Sequence, residues 1–120
     1  MQIPFNRPYL TGNELLYIED AINSAVRGEG HICGDGRYTH LAQELMESRF
    51  SAERVLLTTS GTSALELASF LLDFKPGDEV IVPSYTFSST VNAIIVAGGT
   101  PVFADIEEGT LNIDPEDIKK

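Results

Sequence analysis

LLTTSGTSALELASFLLDFKPGDEVIVPSYTFSSTVNAIIVAGGTPVFAD, from Leu56 to Asp105, is the stretch that decides the fold. The apolar run Val55–Thr58 reads as a short buried strand that delivers the chain to a polar turn, Thr58–Ala64. That turn opens a helix predicted over Thr62–Asp73, with Leu65, Ala68, Leu71 and Leu72 on one stripe. Lys75-Pro-Gly-Asp78 is a turn, Glu79–Val82 a second strand, and Thr86–Ala97 another helix. Gly98-Gly99 closes that helix, glycine being suited to the left-handed position after a helix end, and Pro101–Asp105 is a third strand. Short apolar strands alternating with amphipathic helices predict an α/β fold with parallel strands and flanking helices.

Upstream, residues 1–12 read as an extended arm, because Pro4 and Pro8 bias Ile3 and Arg7 away from the helical region. Thr11-Gly-Asn-Glu14 fits a capping box, and Leu15, Ile18, Ile22, Ala25 and Val26 follow at helical spacing. This helix ends near Arg27–Gly30, where Gly28, Gly30, Gly34 and Gly36 form a flexible loop. A second helix spans roughly Thr39–Phe50, with Leu41, Ala42, Leu45 and Met46 on one face. Downstream, Asp114-Pro115 predicts the N-cap and first residue of a fifth helix. The organisation is an arm (1–12), two helices with a glycine-rich loop (13–50), and strand–helix units (54–120), with no repeat or linker.

With 120 residues, 42% hydrophobic and 22% charged, the composition is ordinarily globular. A net charge of −10 excludes nucleic acid as a favoured partner, since backbone binding needs clustered Lys and Arg. An anionic ligand would depend on local helix N-termini instead. Cys33 is the single cysteine, so no internal disulfide forms, which suits a reducing cytosol. His31 lies two residues from it, a spacing at which side chains seldom converge, so Cys33 is read as non-catalytic. The N-terminus lacks the basic and apolar regions of a signal peptide, and no apolar run is long enough to span a membrane. A cytoplasmic protein without membrane partners is the expectation.

Thr58-Thr-Ser-Gly-Thr-Ser-Ala64 carries the strongest chemical signal. Gly61 lets backbone approach a ligand, the helix start leaves N–H groups without intrahelical acceptors, and Ser60, Thr62 and Ser63 add hydroxyls. This is either a phosphate cradle or a polar N-cap and nothing more. It is not a Walker loop, which ends in Gly-Lys-[Ser/Thr]. Nor is Gly28-Glu-Gly30-His-Ile-Cys33 a dinucleotide fingerprint, for it lacks the third glycine and follows no strand. Pro83-Ser-Tyr-Thr-Phe87 lies past the carboxyl end of a strand, the edge where ligands gather in open α/β sheets. Phe87 there is either a platform for a flat ring or a core residue. The Asn6/Arg7 arm and the loop with His31 and Asp35 read as mobile loops or as a lid and a dimer-exchanged arm. No pattern fits a metal site, a serine-type triad or a paired-carboxylate site.

Six segments together resemble the sugar aminotransferases of the DegT/DnrJ/EryC1/StrS family. They are Ile3-Pro-Phe-Asn-Arg-Pro8, Cys33-Gly-Asp-Gly36, Thr59-Ser-Gly-Thr-Ser-Ala-Leu65, Pro76-Gly-Asp-Glu-Val-Ile-Val-Pro83, Tyr85-Thr-Phe87 and Gly98-Gly-Thr-Pro-Val-Phe-Ala-Asp105. The glycine loop and the Pro-Ser-Tyr-Thr-Phe segment look most like members acting on a TDP-linked 4-oxo-6-deoxyglucose. The resemblance implies the N-terminal part of the large domain of the PLP-dependent transferase (aspartate aminotransferase-like) fold. It implies pyridoxal 5′-phosphate (PLP) as cofactor, with Gly61, Thr62 and Ser63 at its phosphate and Phe87 stacked on its ring. Asn6 and Tyr85 would contact a nucleotide-linked keto-deoxysugar, with an amino acid, glutamate, as amino donor and a homodimer as the assembly.

By the same resemblance the family's Schiff-base Lys and the Asp that pairs with the pyridinium nitrogen lie beyond Lys120. Lys75, Lys119 and Lys120 sit in a turn and a terminal helix, so no catalytic residue is assigned to this chain. The expectation is half a binding site. The alternatives are a truncated, non-catalytic fragment and an unrelated α/β phosphate-binding module. Transaminase strands order non-sequentially, so Val55–Thr58 would lack its sheet neighbour within 120 residues. Residues 1–120 alone are therefore expected to be molten or self-associating. A cooperative monomeric melt by circular dichroism, with protected amides in all three strands, would contradict that.

Overall fold

The β-branched run Val80-Ile-Val82 favours a pleated, half-buried strand, and β1 forms over Glu79–Pro83. β2, Thr100–Ala104, lies parallel to it, in a register that runs from Glu79 opposite Thr100 to Pro83 opposite Ala104. The computed structural model describes residues 2–120. These divide into two units, one up to Leu57 and one from Thr58 to Lys120. The expected arm begins at residue 1, which lies outside the described residues.

In the second unit, α3 (Gly61–Leu71) leads through the Lys75–Asp78 turn to β1, and α4 (Ser88–Val96) links β1 to β2. Asp78 fastens that turn by accepting the Lys75 N–H at 2.7 Å, and Gly77 supplies its positive φ of 97°. α4 ends at Gly98, whose φ of 93° is the left-handed value expected there. A side chain at the next residue would force its neighbours to shift, because a Cβ on Gly99 would lie 2.9 Å from Ile94 Cγ2 and 3.1 Å from Phe74 Cδ2. The buried apolar residues are Val82, Ala93, Ile94 and Ala104, so the core sits between α4 and the two strands. α3 packs on α4. Both helices are joined to strand amino or carboxyl ends by short connections. α4 therefore starts just past the carboxyl end of β1, and α3 ends before the turn that enters the amino end of β1.

The first unit holds α1 (Glu14–Val26) and α2 (Arg37–Phe50), joined by the glycine loop. Asp20 of α1 accepts from Tyr38 Oη at 2.7 Å and Arg37 Nη1 at 3.1 Å, and the Tyr17 and Tyr38 rings meet edge-on at 5.7 Å. Gly36 is obligatory where it stands: a Cβ would come within 2.5 Å of the His31 carbonyl oxygen. The apolar stripe of α1, including Leu15, Ile18, Ile22 and Val26, is exposed within this unit.

Three local expectations are corrected. Val55–Thr58 is not a strand, and Leu56 and Leu57 are exposed. A strand needs a paired neighbour, none of the described residues supplies one, and the Val55 N–H turns to Glu47 Oε1 at 3.0 Å instead. Asp114 does accept the Glu116 N–H, yet only a turn follows over 115–119, not a fifth helix. It is committed to local pairing: Asp114 N–H bonds the Asp105 carbonyl, Asp105 N–H bonds Asp117, and Ile106 bridges to Ile113. The capping box is half formed. Glu14 reaches back to the Thr11 N–H at 2.6 Å, but Thr11 donates its hydroxyl to the same carboxylate and caps nothing, and α1 starts after Asn13.

Candidate cofactor-binding site

α3 begins where a polar, acid-free turn meets an apolar helix. Ser60 is the N-cap in extended backbone, and its Oγ accepts the Ser63 N–H at 3.0 Å. Thr58 Oγ1 donates to the Ser60 carbonyl at 2.8 Å and so fixes the entry of the chain. Among the described residues, neither the Gly61 nor the Thr62 N–H has an acceptor, as expected of the first amides of a helix. No acidic residue stands in the first turn. A Cβ placed on Gly61 would meet nothing within 4 Å, so the space beside its Cα is open. Two N–H groups without acceptors, a helix dipole, an exposed Thr62 hydroxyl and a half-buried Ser63 hydroxyl make a donor set that suits a phosphate.

Of the three hydroxyls read from sequence as phosphate donors, the structure engages Ser60 in the cap itself. Ser60 and Ser63 Oγ atoms are 3.0 Å apart, and Thr59 Oγ1 lies 3.4 Å from Ser63 Oγ. The polar N-cap that the sequence offered as the alternative reading of this turn is present, with Ser60 as its residue.

At the carboxyl end of β1, the Ser84 N–H continues the ladder to the Ala104 carbonyl at 2.8 Å. Tyr85, Thr86 and Phe87 then line a shallow groove before α4. Phe87 is the N-cap position of α4 and is 75% exposed, which removes the reading of it as a core side chain in this unit. Tyr85 is exposed as well. Thr86 Oγ1 donates to Thr90 Oγ1 at 3.1 Å, bracing the loop against the helix. Gly61, Thr62 and Ser63 therefore share the first turn of α3, and Tyr85 and Phe87 share the loop past the carboxyl end of β1. Asn6 belongs to the first unit, where it is exposed on the arm.

Three lysines form ion pairs, and Lys119 and Lys120 lie at the end of a turn where a terminal helix was expected. Lys75 pairs with Asp73, Lys119 with Glu116 and Lys120 with Asp117, so each has an acidic partner away from the α3 turn. Cys33 is exposed. His31 and Cys33 line one hollow beside α1 together with Ser24 and Tyr38. Sequence gave no signal for the Asp20–Arg37–Tyr38 tie, whose members are 17 and 18 residues apart. That tie raises the Tyr38 hydroxyl pKa, first through the bond to Asp20 and then through desolvation.

Residues 18–120 match the family model described as the DegT/DnrJ/EryC1/StrS aminotransferase family. The chain belongs to that family. Its fold is the α/β fold of the PLP-dependent sugar aminotransferases, with parallel strands and flanking helices, and pyridoxal phosphate is the family's cofactor. The GDP-perosamine synthase of Vibrio cholerae is 36% identical over 118 residues, covering 98% of this chain and 31% of the relative. A sugar aminotransferase from Streptococcus pneumoniae, Spr1654 in its PMP form, superposes with a TM-score of 0.83 at 28% identity, covering 99% of this chain and 28% of that one. The E. coli GDP-4-keto-6-deoxy-D-mannose-3-dehydratase, solved with hydrated PLP, gives a TM-score of 0.83 at 26% identity, covering 98% of this chain and 30% of that one. The chain thus spans less than a third of the length of these relatives. No helix among the described residues is long and apolar enough to cross a membrane.

Proposed function

We propose that residues 1–120 form the N-terminal segment of the PLP-binding large domain of a cytoplasmic, homodimeric sugar-nucleotide aminotransferase. The whole enzyme would move an amino group from an amino acid, glutamate by family resemblance, to a nucleotide-linked keto-deoxysugar. The observation that carries this reading is the start of α3 in a family member: Gly61 and Thr62 amides without acceptors and no acid in the first turn.

When bound, pyridoxal phosphate supplies the electron sink for chemistry at the carbon that bears nitrogen. The chain's own residues bind and orient. The Gly61 and Thr62 N–H groups and the Thr62 and Ser63 hydroxyls hold the phosphate, and Phe87 offers its exposed face to the ring. Tyr85 and Asn6 contact the sugar nucleotide. The chain contributes no catalytic residue, and the Schiff-base Lys comes from sequence beyond Lys120.

Thr62→Ala in the complete enzyme tests the site. Losing one charge-assisted hydrogen bond should weaken PLP binding by about 1.5–3 kcal/mol in a cofactor titration. Unchanged affinity would remove this turn from the cofactor site. The likeness to a dehydratase favours a second reading, elimination at the sugar instead of aminotransfer. Within the family, dehydratases carry His where aminotransferases carry the Schiff-base Lys, so the residue at that position separates the two. Transfer of glutamate nitrogen to a keto-sugar nucleotide is the matching assay.

A further inference from the structure

The two long edges of the β1–β2 pair are finished differently. The Thr100 N–H bonds the Asp78 carbonyl at 2.9 Å and the Ser84 N–H bonds the Ala104 carbonyl at 2.8 Å, which brackets the parallel ladder at both ends. Alternate residues of such a ladder turn their backbone groups to opposite sides. Thr100, Val102 and Ala104 therefore face β1, while Pro101, Phe103 and Asp105 face outward. Pro101 has no N–H to offer. Asp105 gives its N–H to Asp117 Oδ2 at 2.7 Å, and its carbonyl takes the Asp114 N–H at 2.9 Å. Residues 112–114 lie beside 105–107, with the Glu107 N–H on the Asn112 carbonyl at 2.9 Å and Ile106 bridged to Ile113. Phe103 keeps both backbone groups without a partner among the described residues. The other edge, along β1, has no such finish at Glu79 or Ile81.

An open strand edge with apolar side chains is a template for a second chain, and Phe103, 59% exposed, supplies the apolar part here. If two copies of β2 met edge to edge about a two-fold axis at Phe103, that residue would face its counterpart. Pro101 would then face the second copy's Asp105. The central pair could exchange both of its bonds. Each flanking pair could form neither, because Pro101 lacks one donor and Asp105 has already given the other to Asp117. We propose that Pro101 and Asp117 guard the outer edge of β2 against strand addition by a second copy of this chain. Asp117 is the clasp: its carboxylate satisfies the Asp105 N–H without presenting a further backbone edge, and it ties down the returning segment that occupies the Asp105 carbonyl. This role is independent of the cofactor reading.

The test uses the complete protein. Asp117→Ala should speed hydrogen exchange at the Asp105 amide about tenfold, the loss of one charge-assisted hydrogen bond, and Asp117→Asn, which keeps an oxygen acceptor, should fall between it and wild type. Pro101→Val combined with Asp117→Ala restores one donor and frees the other. Sedimentation velocity of that pair should show species larger than the wild-type assembly that grow with concentration, with slowed exchange at the Phe103 amide. Adding Phe103→Lys sets like charges opposite each other at the centre and should return wild-type sedimentation. Circular dichroism checks that each variant is folded, and Pro101→Thr with Asp117→Ser, a milder pair that keeps a strand former at 101, repeats the measurement if the first does not fold. Wild-type exchange at Asp105 in Asp117→Ala overturns the proposal. So does a folded double variant that sediments as wild type at every concentration, or association that Phe103→Lys leaves intact.

Discussion

Two helix starts in this chain show opposite ways of treating the same electrostatics. α1 carries Glu14 in its first turn, and that carboxylate takes the Thr11 N–H at 2.6 Å, the Gly12 N–H at 2.9 Å and the Thr11 hydroxyl at 2.9 Å. α3 starts with Ser60, Gly61, Thr62 and Ser63, with no acid in the first turn and two amides unpartnered. The positive end of a helix attracts an anion in either case. In α1 the chain provides the anion itself, which gathers the amides just before the helix and sets a negative charge at its start. In α3 the chain withholds one and supplies neutral hydroxyls, so the start stays open for an anion from outside.

Giving α3 an anion of its own would break the contrast, and this is the largest effect expected. Ser63→Glu in the complete enzyme places a carboxylate in the first turn, as Glu14 does in α1. Like charges a few ångströms apart near a protein surface repel by several kcal/mol, so PLP affinity should fall on the order of a hundredfold or more. The helix should persist, since Glu favours a first turn. A titration showing wild-type affinity would mean that the phosphate sits elsewhere.

Phe87 sharpens the contrast with a smaller effect. Its ring is 75% exposed, so little packing is lost with it in this unit. Phe87→Ala should loosen PLP by about 0.5–1.5 kcal/mol, the range of an aromatic pair, and shift the cofactor absorbance, while Phe87→Trp is tolerated. Retained affinity together with a large fall in melting temperature would make Phe87 a packing residue of the assembled protein.

The alternation of apolar runs with helical stripes made β1, β2, α3 and α4 legible, because period and turn chemistry are local properties. Gly98 was legible for the same reason. Val55–Thr58 has the apolar side chains of a strand but, as the sequence led one to expect, finds no neighbour among the described residues, and without one it forms no strand. Asp114-Pro115 was misread because an N-cap signal competes with other uses of the same groups, here the Asp105 and Asp117 bonds. At the site, Thr62 and Ser63 could be named from the turn, whereas the engagement of Ser60 with Ser63 depends on hydroxyl placement that residue types do not specify. The family resemblance supplied the roles of Phe87, Tyr85 and Asn6, and physics adds that the first two are exposed on one loop.

The smallest effect concerns the start of α1. Hydrogen bonds from Glu14's own backbone N–H and from Thr11 lower its carboxyl pKa from 4.5 to about 2. A carboxylate whose folded pKa is depressed contributes stability above its unfolded pKa and loses it as pH falls through the folded one. The first turn of α1 should therefore be fully held above pH 4.5 and loosen progressively as pH falls toward 2. An NMR titration of the Glu14 side chain in the complete protein should give a midpoint near 2, and Glu14→Gln should abolish the pH dependence of amide exchange at Thr11 and Gly12. The carboxylate lies at the surface and its partners are local, so the consequence is local fraying, not global unfolding. A midpoint near 4.5 would show that Glu14 is not engaged with its own helix start, and the distinction between a self-occupied and an open N-terminus would lose its first member.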